Sequence, residues 1–180
     1  ALPISISDDG SYMVICGYQH TDASTYHGVI WRNGVFHSFD NGTKLYDIAY
    51  VDGCYYTVGS AVEGGSTKLK VWRTKVSDGT TDVRYTLSES MTTSFVDERF
   101  SIHIDAAGDV YVNGMESGTD KIWKNGNELH TGGRYFCAVV ANTNGVYYAG
   151  SYSGTGKIWK DGEVLYTPSV SSTINSERIT

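Results

Sequence analysis

The sequence predicts an all-β chain built from four repeats of one four-stranded antiparallel unit, and three observations predict it. Four tryptophans stand at Trp31, Trp72, Trp123 and Trp159 in related settings, VIWRNG, KVWRTK, KIWKNG and KIWKDG. Upstream of each lies a second recurring phrase: ISISDDGSYMVICG, DIAYVDGCYYTVG, IHIDAAGDVYVNG and VVANTNGVYYAG. Each is an apolar alternating run, a short Asp/Asn/Gly turn, and a Tyr-bearing run ending in glycine. Finally, 21 Gly stand against 2 Pro, and 14 Tyr dominate the aromatics. Aromatic and β-branched side chains suit pleated sheets, and glycine suits the turns between them. No stretch reads as a long amphipathic helix.

The strands follow from this grammar in order. The first unit places them at Ile4–Ser7, Tyr12–Cys16, Gly28–Arg32 and Val35–Phe39. The second places them at Asp47–Val51, Tyr55–Val58, Leu69–Thr74 and Asp82–Leu87. The third has Ser101–Asp105, Val110–Asn113, Lys121–Lys124 and Glu128–His130. The fourth has Phe136–Ala141, Val146–Ala149, Lys157–Lys160 and Glu163–Tyr166. Tight-hairpin dipeptides join first to second strands (Asp9-Gly10, Asp52-Gly53, Asn144-Gly145) and third to fourth (Asn33-Gly34, Asn125-Gly126, Asp161-Gly162). Asn, Asp and Gly tolerate the positive φ of a type I′ turn. Gly10, Gly53, Gly108 and Gly145 hold matching places in the first turn of each unit, as the four tryptophans do in the third strand. The second unit departs from the pattern, because KVWRTKVSDG lacks Asn/Asp-Gly directly after its tryptophan.

Four-stranded units of about 40–45 residues are the signature of propeller blades, here approximately 1–41, 42–95, 96–133 and 134–180. An isolated blade leaves both faces apolar and must stack on its neighbours. The indole is therefore expected to fill the same inter-sheet gap in every unit. The repeats DVYVNG and KIWKNG resemble uncharacterised β-propellers of bacterial (Bacteroidetes-type) surface and secreted proteins and of phage, across essentially all 180 residues. A more distant resemblance is to tachylectin-like sugar-binding propellers. These resemblances imply an extracellular or cell-surface setting and a binding role. ERIT at 177–180 repeats ERFS at 98–101, so the chain stops near the start of a fifth unit. Four closed blades are expected, with a fragment of a larger ring or half of a dimeric ring as alternatives. A first residue of Ala implies processing or excision from a longer chain.

In a meander the tight hairpins share one end, and the second-to-third connections share the other. The latter read as long loops at 18–28, 60–67, 116–120 and 151–156, with a further connection at 88–99. Function gathers on such loops. Tyr18, His20, Asp22, Tyr26 and His27 form the richest cluster, and Glu63, Glu116 and Tyr152 hold comparable places. Tyrosine rings offer flat apolar faces with a hydroxyl, which suit a glycan or a protein surface.

Other chemistries are poorly supported. A net charge of −6 repels phosphate backbones, and Lys68, Lys70, Arg73 and Lys75 read as a solvated strand edge, so no nucleic acid is expected. No apolar run reaches bilayer length and no signal peptide is seen, so no membrane insertion is expected. Cys16, Cys54 and Cys137 form no C-x-x-C pair, though one disulfide is possible. Asp8, Asp9, Asp52 and Asp105 suit turns, and no D-x-D-x-D-G run marks a calcium site. No metal or cofactor is expected. His103, between Ile102 and Ile104, is expected to line an inter-blade contact or the axis. No G-x-S-x-G elbow is present, and a glycosidase would need two carboxylates from Glu63, Glu89, Glu98 and Glu116. The expectation is a non-enzymatic module that binds a glycan or cell surface. The alternatives are a protein-interaction or assembly module, with self-association possible, and a glycoside hydrolase.

Overall fold

The computed structural model describes residues 3–7, 10–22, 25–91, 100–132 and 135–168. Asp8, Asp9, Glu98 and the ERIT repeat lie outside them. The described residues form sixteen strands and no helix. They assemble into four sheets, each a four-stranded antiparallel meander of consecutive strands. The first holds β1 (Ile4–Ile6), β2 (Met13–His20), β3 (Tyr26–Arg32) and β4 (Val35–Asn41). The second holds β5 (Thr43–Val51), β6 (Cys54–Glu63), β7 (Ser66–Lys75) and β8 (Thr81–Ser88). The third holds β9 (Ser101–Ile104), β10 (Val110–Glu116), β11 (Thr119–Lys124) and β12 (Asn127–Gly132). The fourth holds β13 (Tyr135–Asn142), β14 (Gly145–Tyr152), β15 (Thr155–Lys160) and β16 (Glu163–Tyr166). Two compact units contain a pair of sheets each, Ala1–Thr93 and Ser94–Thr180.

The turns explain why the motif repeats. Asn33-Gly34, Asp52-Gly53, Asn125-Gly126 and Asp161-Gly162 all have positive φ at both residues, as type I′ hairpins require. The residue two after the tryptophan has a second task. Asn33, Asn125 and Asp161 accept hydrogen bonds through Oδ1 from the backbone N–H of Met13, Val110 and Val146, at 3.1, 2.9 and 2.8 Å. The third-strand turn thus ties down the start of the second strand in three of the four sheets. Asn144-Gly145 departs from expectation. Its turn residues are Thr143 and Asn144, because the Asn142 side chain accepts from the Asn144 N–H and Asn142 pairs with Gly145.

In the second and fourth sheets the glycine closing the Tyr-bearing run permits a close backbone approach. A Cβ on Gly59 would lie 2.1 Å from the Lys44 carbonyl oxygen, and one on Gly150 would lie 2.1 Å from that of Tyr135. Both sit where the first strand bulges, at Leu45/Asp47 and Phe136/Ala138.

Each unit has a core between its two sheets. In the first, Val14, Cys16 and Ile30 meet Leu45, Ile48, Tyr55 and Trp72. Across this core the Arg32 guanidinium donates to the Val76 carbonyl at 2.8 Å, and His37 Nε2 pairs with Thr81 Oγ1 at 3.1 Å. In the second, Tyr111 and Ile122 meet Phe136, Val139, Tyr148 and Trp159. His103 Nε2 lies 2.8 Å from the Ala141 carbonyl, an inter-sheet contact of the kind expected for it.

Three expectations need correction. Trp72, Trp123 and Trp159 are buried at 7%, 3% and 0% exposure, but Trp31 is 42% exposed, so the repeated motif does not give four equal environments. Lys70 does not lie on a solvated edge. β7 is an inner strand, and Lys70 is buried in an ion pair with Glu63. The second-to-third connections are not long loops in three of the sheets. The strands run on and close through Gly64-Gly65, Ser117-Gly118 and Ser153-Gly154, each with positive φ at both residues. Cys16, Cys54 and Cys137 are all free thiols.

Candidate functional site

In the first sheet five residues, 21–25, separate β2 from β3, against two between the second and third strands of each other sheet. The Thr21 backbone N–H and hydroxyl both donate to the Thr25 carbonyl, at 2.9 and 3.2 Å. Asp22 Oδ1 accepts from the Thr25 N–H at 2.8 Å, so this carboxylate shapes the loop. The ladder below pairs His20 with Tyr26, Gln19 with His27, and Tyr18 with Gly28. Paired residues share a face, and so do alternate residues of one strand. Tyr18, His20 and Tyr26 therefore project together.

Their rings make three mutual edge-to-face contacts, with centroids 5.8 Å apart for Tyr18–His20, 6.2 Å for Tyr18–Tyr26 and 6.1 Å for His20–Tyr26. Lys44 of β5 completes the group, its Nζ 4.7 Å from the Tyr18 centroid and 4.8 Å from that of Tyr26. The two tyrosines and Lys44 are half-buried, and His20 is exposed. Gly28 makes the arrangement possible. A Cβ there would stand 3.0 Å from Leu45 and 3.1 Å from Thr43, so its absence lets β5 pass close and bring Lys44 over the rings. His27 falls on the opposite face from Tyr26 by strand alternation and takes no part in the ring cluster.

Lys44 was not visible as a site residue in the sequence. The expected strand began at Asp47, whereas β5 begins at Thr43 and carries a bulge at Leu45/Asp47. The alternation in Thr43–Tyr46 was the available signal.

The remaining candidates occupy strand ends and face lysines. The lysine two before the tryptophan, Lys70, Lys121 or Lys157, pairs in register with Gly59, Gly114 or Gly150. It reaches Glu63, Glu116 or the Tyr152 ring. Lys121 Nζ lies 2.6 Å from both Glu116 and Glu128, and Lys157 Nζ lies 5.3 Å from the Tyr152 centroid. Lys68 bridges Glu89 at 2.6 Å and Glu63 at 3.8 Å. The hydrogen bond from Lys70 holds the Glu63 carboxyl below the usual glutamate range. Hydrogen bonds to Glu116 and Glu128 raise Lys121. The first sheet has Val29 at the lysine position, and there the neighbouring strand supplies the cation instead.

Asp52 sits in a type I′ turn, and Asp105 Oδ1 accepts from the N–H groups of Ala107 and Asp109, so both aspartates serve turns. Among the described residues, no three His, Cys, Asp or Glu side chains gather in a metal-holding group. Among them, too, no helix is long and apolar enough to cross a membrane.

Four consecutive four-stranded meanders define a β-propeller-type chain, and solved structures of that type match it. Dipeptidyl peptidase 4 of Porphyromonas gingivalis matches with a TM-score of 0.55 and 11% identity, over 92% of this chain and 31% of that one. TolB of Acinetobacter baumannii matches with a TM-score of 0.56 and 16% identity, over 91% and 41%. A prolyl endopeptidase structure matches with a TM-score of 0.52 and 15% identity, over 92% and 26%. The chain thus spans less than half the length of each, and at these identities the likeness shows the fold alone. No protein-family model and no curated protein matches the sequence.

Proposed function

We propose that the chain is a non-enzymatic binding module that recognises glycan or cell-surface ligands through the β2–β3 end of its first sheet. The Tyr18–His20–Tyr26 cluster with Lys44 carries this reading. It combines apolar ring surface, hydroxyl and imidazole hydrogen-bonding groups and one cation, beside the longest of the four second-to-third connections. Sugars need that combination: C–H faces stack on aromatic rings while hydroxyls take polar partners. Resemblance of the repeats to surface propellers of Bacteroidetes-type bacteria and phage supports the same setting.

The carboxylates fit a binding role better than a hydrolytic one. A glycosidase general acid needs a raised pKa. Glu63 moves the other way, and Glu116 is paired with Lys121. A glycan array probed with the wild-type chain and with Tyr18→Ala and Tyr26→Ala tests the proposal. Binding to a defined glycan class is expected, weakened at least about tenfold in each variant, a loss of roughly 1.4 kcal/mol. A wild-type chain that binds no glycan, or variants that bind as well as wild type, contradicts it.

One observation favours a second reading, an interaction or assembly module of a larger surface or virion protein: one face of the first sheet carries an exposed apolar strip of Ile4, Ile6, Met13, Trp31 and Phe36.

A further inference from the structure

The two faces of each sheet meet different things. Trp72 lies on the face of the second sheet turned toward the first, with its ring 5.6 Å from Phe39 and in one core with Val14, Cys16 and Ile30. Trp159 lies on the face of the fourth sheet turned toward the third, in one core with Tyr111 and Ile122. In both pairs the tryptophan-bearing, or leading, face of the later sheet is covered by the trailing face of the earlier one.

The leading face of the first sheet carries Trp31. Register places Ile4, Ile15, Trp31 and Phe36 in one row across all four strands, with Ile6 and Met13 beside it. Neither row contains a charge. Trp31 is 42% exposed, Ile6 61% and Phe36 62%. A contiguous apolar surface of this kind marks an interaction site.

The trailing face of the fourth sheet has the chemistry to cover it. Tyr147 and Ile158 hold the positions in β14 and β15 that Tyr111 and Ile122 hold in β10 and β11: three before the run-closing glycine and one before the tryptophan. Tyr111 and Ile122 are the residues that pack against Trp159. Tyr147 and Ile158 remain half-exposed, and exposed Tyr166 pairs with Ile158 in the ladder. The chain therefore displays, at opposite ends of its strand order, both halves of an interface that it already builds within each unit.

We propose that the leading face of the first sheet is a blade-docking surface, and that its occupant is the trailing face of the fourth sheet of a second copy. Such contact is head-to-tail, with different patches on the two copies. It develops the assembly reading and does not depend on glycan binding, which the array decides separately.

Sedimentation of the full chain across about 1–100 μM tests it. The wild type is expected to sediment as a multiple of 19.7 kDa. Trp31→Asp and Ile158→Asp should each weaken association at least tenfold. Because Trp31 is exposed in a single copy, its variant should keep the wild-type far-ultraviolet spectrum; Tyr166→Asp, on an exposed residue, backs up Ile158→Asp should that variant misfold. Mixing the leading-face variant with a trailing-face variant restores one intact pair of faces, so a one-to-one complex should form. A wild-type chain that stays monomeric, a folded trailing-face variant that keeps the wild-type mass, or a mixture that yields no complex overturns the proposal.

Discussion

Replacing Trp159 by alanine should separate packing from mere repetition. The indole is fully buried, stacked on Tyr148 at 5.7 Å with 13° between planes, and edge-on to Phe136 at 5.6 Å. Truncating such a side chain removes its burial and leaves a cavity that the surrounding sheets fill only partly. The expected cost is about 3–5 kcal/mol. The same substitution at Trp31, which is 42% exposed, forfeits roughly half of a large side chain's burial, about 1 kcal/mol. For a chain of this size each kcal/mol moves the midpoint by about 2–4 °C, so Trp159→Ala should lower Tm by roughly 6–20 °C. Urea unfolding followed by far-ultraviolet circular dichroism reads both variants, on protein dilute enough to exclude self-association. Equal costs at the two positions, or a cost at Trp159 below about 1 kcal/mol, would refute the reasoning.

Other perturbations probe other parts of the fold. Asn125→Ala loses the acceptor for the Val110 N–H and places a Cβ-bearing residue without a local partner at φ 51°, so it should cost about 2 kcal/mol in urea unfolding. Asn125→Asp keeps that acceptor, as Asp161 does in the fourth sheet, but loses the Nδ2–H donation to Asp109 Oδ1 at 2.7 Å and sets two carboxylates against each other, so it should also destabilise, more at neutral pH than in acid. Gly59→Ala drives a methyl group into the Lys44 carbonyl and should destabilise far more than Ala at exposed Gly64, as thermal unfolding would show. Ion pairs set the pH dependence. Glu63 is depressed by Lys70, so its stabilisation is complete above its ordinary value of 4.5 and lost as pH falls through the lower folded value; the Tm gap between wild type and Glu63→Gln should close in that acid window. Lys121 is raised, so its stabilisation is complete below 10.5 and lost as pH rises through the higher folded value; the gap for Lys121→Met should close only in strong alkali.

The fold was legible because its signals are local. Period-two alternation and Asn/Asp-Gly turns place all sixteen strands, and both arise within a few residues of where they act. Strand length was less legible. β6, β10 and β14 run on through Glu63, Glu116 and Tyr152, polar or mixed ends that read as loop until lysines on the next strand neutralise or cover them. Ser117-Gly118 and Ser153-Gly154 hide their turn type, because serine seldom advertises positive φ. Tyr18, His20 and Tyr26 stood out by composition, but their convergence depends on the β2–β3 register, and Lys44 arrives from another sheet past Gly28. Trp31 shows the limit of a motif. Its six-residue setting resembles that of Trp159, and whether an indole is buried depends on the sheet that covers it.

Nuclear magnetic resonance of the labelled chain, titrated with the glycan that the array selects, tests the proposed binding end most directly. Amide and aromatic shifts should change first at residues 18–28 and at Lys44, and in Tyr26→Ala should need at least about tenfold more glycan without loss of fold. Shifts that cluster instead at the type I′ turns of the opposite strand ends, or that saturate at the wild-type glycan concentration in Tyr26→Ala, would contradict it.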